Sequence, residues 1–98
     1  GINAEYGYIK NIVQCKGVEG LIILSIDGVP IRSSLDDELT LLYSQTFAQI
    51  VKKAQLVWQK IDKNEQPKLM RFRTKKHEIL VAIDVEFIMI TIQLPQVE

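Results

Sequence analysis

Few side chains in this 98-residue chain have the type and spacing for chemistry. His77 stands beside a Lys75-Lys76 turn with no Asp or Cys near it in a nucleophilic or acid–base pattern, so it reads as an exposed turn residue. Ser33-Ser34 reads as a helix cap rather than a nucleophile. Asp36, Asp37 and Glu38 would hold a metal only with further ligands, and they read as a solvated helix start. The stretch KGVEG, Lys16 to Gly20, has neither the spacing nor the Ser or Thr of a phosphate loop. The basic run RFRTKK, Arg71 to Lys76, carries one aromatic, Phe72. That is a thin stacking platform for RNA, and the run reads as a solubilised strand edge or a contact for an acidic partner. These residues imply no catalysis, no cofactor, no metal, no small-molecule substrate and no nucleic acid.

Composition agrees. Twelve basic and twelve acidic residues cancel, so no overall field draws the chain to nucleic acid or an anionic membrane. Apolar residues at 47% and charged residues at 24% are the balance of one globular domain, expected over residues 1–98. Cys15 alone cannot form an internal disulfide, which fits a reducing, cytoplasmic setting. No apolar stretch approaches the ~20 residues of a membrane span.

The elements follow from period and punctuation. Asn3 can cap a short helix whose stripe is Tyr6, Ile9, Ile12 and Val13, ended at Gly17. Gly20 to Ser25 reads as a strand, Asp27-Gly28 as a hairpin turn, and Val29 to Ser33 as a return strand held to an edge by Pro30. Ser34 and Asp37 have capping-box spacing, opening a long helix that runs to about Ile61. Beyond the polar loop Asp62 to Pro67 come three strands: Lys68 to Thr74, His77 to Ile83, and Phe87 to Leu94. The order helix-strand-strand-helix-strand-strand-strand, with hairpin-length links, implies an α/β fold with a five-stranded antiparallel sheet.

Three strands are apolar on both faces: Leu21 to Leu24, Ile79 to Ile83 and Phe87 to Ile92. Two unequal helices cannot cover both faces, so part of the sheet should wait for a partner. The long helix is apolar over an arc of roughly 180°, wider than one contact needs. Leu39, Tyr43, Ile50, Val57 and Ile61 are expected on the sheet. Phe47, Val51, Ala54 and Trp58 are expected to face a second copy, or the loop Asp62 to Pro67. The alternating strand Met70, Arg71, Phe72, Arg73 is an edge that antiparallel pairing with its own copy would satisfy, so these four join the expected dimer contact.

From Lys16 to about Pro95 the sequence resembles the roadblock-type dynein light chains, of the roadblock/longin-like family. The likeness rests on Gly17-Val18-x-Gly20, on Asp27-Gly28-Val29-Pro30-Ile31, and on Arg71-Phe72-Arg73-Thr74-Lys75-Lys76 followed by Glu78-Ile79-Leu80-Val81-Ala82. Ile83 stands where such chains commonly have proline and Phe87 where tyrosine is usual, and the first helix matches poorly. The resemblance implies a homodimer, or a heterodimer with a paralogue, whose sheets join edge to edge with long helices side by side. It implies a non-enzymatic motor subunit that binds a helical segment of the dynein intermediate chain, cytoplasmic and microtubule-associated or axonemal in a cilium. The partner would dock near Ile9, Ile12 and Val13 with Leu69, Arg71 and Arg73. Related scaffolds hold or regulate a small GTPase, which is the alternative.

Overall fold

The computed structural model describes residues 17–95. The proposed first helix, with Ile9, Ile12 and Val13, lies outside the described residues. Strands β1 (Val18–Ser25) and β2 (Pro30–Ser33) form a hairpin; helix α1 (Asp37–Ile61) follows; β3 (Leu69–Arg73), β4 (Glu78–Ile83) and β5 (Phe87–Gln93) complete the sheet. The spatial order is β2-β1-β5-β4-β3, antiparallel throughout. The strands read as apolar on both faces, β1, β4 and β5, are the three inner ones. The proline strand and the alternating strand are the two edges, as their backbone chemistry and pattern require.

The α1 face of the sheet is built from alternate residues: Ile22 and Leu24 on β1, Ile88, Ile90 and Ile92 on β5, Ile79 and Val81 on β4. On the opposite face Leu21 and Ile23 are buried beside Phe87 and Met89. Ile83, where resembling chains carry proline, donates its N–H to the Lys68 carbonyl at 2.8 Å. A proline could not make that bond.

Two details of α1 differ from expectation. Its N-cap is Asp36, whose carboxylate accepts from the Leu39 N–H at 2.8 Å. Ser34 is instead drawn to the neighbouring strand, where its Oγ accepts the Leu21 N–H at 2.9 Å. A serine at capping-box spacing thus serves the sheet, and the next suitable carboxylate caps the helix.

The second difference is the helix face. Thr40, Ser44, Phe47, Ala48 and Val51 are the buried residues, with Phe47 only 8% and Val51 1% exposed. Both were expected to face a second copy and are core residues of the single chain. Of the five expected on the sheet, Tyr43 and Ile50 only border the core, and Leu39, Val57 and Ile61 are exposed. The physical reason is closeness of approach. Gly28, at φ +92, brings the β1–β2 turn so near that a Cβ there would stand 2.9 Å from the Ala48 Cβ. Only the small-residue stripe Thr40, Ser44, Ala48 admits that contact, so the helix turns it inward and the bulkiest apolar flank swings aside.

Candidate functional site

The displaced flank comprises Leu39, Tyr43, Ile50, Val57 and Ile61, about 100° round the helix from the buried stripe. Val57 is 56% and Ile61 66% exposed. The last turns of α1, nearly three of them, contribute no buried side chain, since the buried residues end at Val51. Trp58 is 40% exposed and Ala54 half-buried. The flank lies on the β3 side. Tyr43 stacks on Phe47 with ring centroids 5.9 Å apart, and Phe47 meets Phe72 of β3 edge-to-face at 5.6 Å.

Along β3 the alternation is kept. Met70 and Phe72 pack on the core beneath α1, whereas Leu69, Arg71 and Arg73 are exposed on the far face. The Lys68 carbonyl and the Thr74 N–H both bond toward β4. In an antiparallel ladder the backbone groups alternate sides, so those of Leu69 and Arg71 face the open edge. The expected contact residues are therefore sorted three ways. Met70, Arg71, Phe72 and Arg73 belong to the open strand, Ala54 and Trp58 to the protruding half of α1, and Phe47 and Val51 to the interior.

Charge on the far face is local. Arg71 Nε lies 3.0 Å from Glu78 Oε1, and the Glu78 side chain is only 8% exposed. Glu19 sits in the bulge between Val18 and Gly20, which turns its carboxylate to within 3.2 Å of His77 Nε2. Sequence reasoning missed both contacts, because each joins residues on or beside strands whose register and bulge are set only in the sheet. Among the described residues no three His, Cys, Asp or Glu side chains are grouped to hold a metal ion. No described helix is long and apolar enough to cross a membrane. Among the described residues the arrangement offers surface: a strand edge bordered by an apolar helix flank.

Comparison with solved structures places the fold. The Roadblock/LC7 domain from Streptomyces avermitilis superposes with a TM-score of 0.80 at 10% identity, covering 87% of this chain and 73% of that one. MglB of Myxococcus xanthus gives 0.71 at 12% identity, covering 83% and 68%. The gliding protein MglB from Thermus thermophilus gives 0.77 at 6% identity, covering 91% and 70%. At such identities the likeness is one of fold. The family model of the Roadblock/LC7 domain matches residues 8–94, and the chain belongs to that family, whose members are non-catalytic adaptors or regulators.

Proposed function

We propose that this chain is a dimeric adaptor, a light-chain subunit of a dynein motor complex. It holds a helical segment of the dynein intermediate chain and contributes to cargo attachment in microtubule-based transport, in the cytoplasm or a cilium. The motor assignment rests on the motifs around Gly17, Asp27 and Arg71 that resemble the roadblock light chains. The strand edge and the helix flank of the single chain support the dimer.

One observation carries the dimer: the strand edge and the helix flank call for the same two-fold axis. The open backbone groups of β3 are centred on Arg71, so antiparallel self-pairing sets its axis there. Phe72 lies beside Phe47, and Lys68 and Gln55 line one hollow at the other end. Between those points α1 advances about two residues for each strand residue, as the rises of about 1.5 and 3.3 Å require. Arg71 is thus level with residue 49. The exposed flank runs from Leu39 to Ile61, and its midpoint is Ile50. One rotation therefore joins the edges and brings the flanks together. The two Arg71 side chains would meet across the axis, and Glu78 neutralises each. The partner segment docks on the far face at Leu69, Arg71 and Arg73.

Val57→Asp and Leu69→Pro test the dimer. The first puts a charge on the flank; the second puts a ring at the open edge, where a strand tolerates proline. Each variant is expected to keep native circular dichroism and to sediment as a monomer, whereas the wild-type chain sediments as a dimer. A wild-type monomer at micromolar concentration overturns the proposal. Affinity capture tests the motor: dynein intermediate and heavy chains are expected on the bait. A small GTPase recovered without dynein subunits would replace this reading with the scaffold alternative.

A further inference from the structure

Arg71 and Glu78 do not stand opposite one another in the sheet. The register sets Arg71 level with Leu80 and Glu78 level with Arg73, so the two meet on a diagonal. Contact runs through the Arg71 Nε, the guanidinium nitrogen nearest the backbone, at 3.0 Å from Glu78 Oε1. A guanidinium carries five N–H donors in one plane, and a single carboxylate cannot occupy them all. Buried Glu78 thus holds the base of a fork whose side chain is 64% exposed. Leu69, Arg71 and Arg73 form one exposed row on β3, each ~6.7 Å from the next, twice the strand rise. Half-buried Ala82 and Leu80 lie level with Leu69 and Arg71 and add an apolar border. Residues 68–76 hold Lys68, Arg71, Arg73, Lys75 and Lys76 and no acid.

The geometry points to an acidic helix as the partner of this row: an apolar side chain packs on Leu69 and Leu80, and a carboxylate four residues away takes the outer edge of the Arg71 fork. The inference rests on the docking face proposed above and names its chemistry. Side chains four apart on a helix face are ~6 Å apart along its axis, close to the step from Leu69 to Arg71. A second acid four residues further on would meet Arg73. A carboxylate is planar with two oxygens, so it matches a guanidinium edge with paired hydrogen bonds. Nucleic acid and anionic bilayers are also negative, but the chain has no net charge to draw them, and neither needs a fork held at its base. Glu78 is a positioning residue, acting on the partner only through Arg71.

The test uses alanine-based helical peptides carrying Leu and Glu four residues apart, or Leu and Gln, titrated into the chain at low salt and followed by backbone amide NMR. The Glu peptide is expected to bind about tenfold more tightly than the Gln peptide, shifting the amides of β3 and β4. Equal affinity with those same amides shifted leaves the docking face standing and overturns the acidic partner. Shifts confined to other elements refute the docking face itself, a separate result, and binding of neither peptide overturns the proposal. Arg71→Lys keeps the charge but loses the fork, and is expected to lose most of the preference for Glu; an unchanged preference overturns the proposal. Glu78→Leu removes a negative charge, so attraction alone would tighten binding of the Glu peptide. Loss of orientation is expected instead to weaken it about threefold, and tighter binding overturns the proposal. So does tighter binding of a single-stranded RNA oligonucleotide or of phosphatidylserine vesicles than of the Glu peptide at the same salt.

Discussion

Ser44 shows what a single side chain contributes where α1 passes closest to the sheet. It is fully buried, and its Oγ has no hydrogen-bond partner. Serine is there for its size, because the Gly28 turn presses against the next turn of the helix at Ala48. An orphaned buried hydroxyl costs about 1–3 kcal/mol, and alanine is also the better helix former. Ser44→Ala is therefore expected to raise the unfolding free energy by about 1 kcal/mol, read as a shift of the urea midpoint at constant slope. Asp36 is the complementary case. Its carboxylate is engaged by the Leu39 N–H, so Asp36→Ala is expected to lower stability by about 1 kcal/mol in the same assay.

At the scale of the element, α1 has two apolar faces with different duties. The inner face is narrow and built of small residues around Phe47 and Val51; the outer flank holds exposed Leu39, Val57 and Ile61 beside half-buried Tyr43 and Ile50. A helical wheel places both within one wide arc and cannot say which part turns inward. Val51→Ala is expected to cost about 2–3 kcal/mol of monomer stability, because its methyl groups are buried among the β-strand isoleucines. Val57→Ala is expected to leave the monomer within about 0.5 kcal/mol and to weaken self-association. Denaturation at low protein concentration, set beside sedimentation, separates the two effects.

For the whole molecule, the sheet ends at β3, which pairs with β4 alone among the described residues. Joined through β3, two copies would make one continuous ten-stranded surface, with paired helices above and both far faces below. Folding and association are then linked. The melting temperature is expected to rise by about 3 °C for each tenfold increase in protein concentration, and this dependence should vanish in Leu69→Pro. A melting temperature independent of concentration in the wild-type chain would mean that no dimer forms in that range.

Much of the fold was legible in the residues. Runs apolar on both faces, such as Leu21 to Leu24, mark inner strands, because only paired and covered strands can bury every side chain. Pro30 marks an edge through its missing N–H, and the alternation of Met70, Arg71, Phe72 and Arg73 marks the other. These are local properties, and period and backbone chemistry suffice to read them. The candidate site was legible only in part. That β3 and α1 carry it follows from their surplus of apolar and open surface. Which helix residues point outward depends on how closely the β1–β2 turn approaches Ala48, a contact between segments far apart in the chain. The pairing of Arg71 with Glu78 and of Glu19 with His77 likewise depends on register and on one bulge. The sequence by itself determined the strands, their edges and the family. Only the tertiary structure decided the rotation of α1, because that rotation is set by the steric fit between the helix and the turn beneath it.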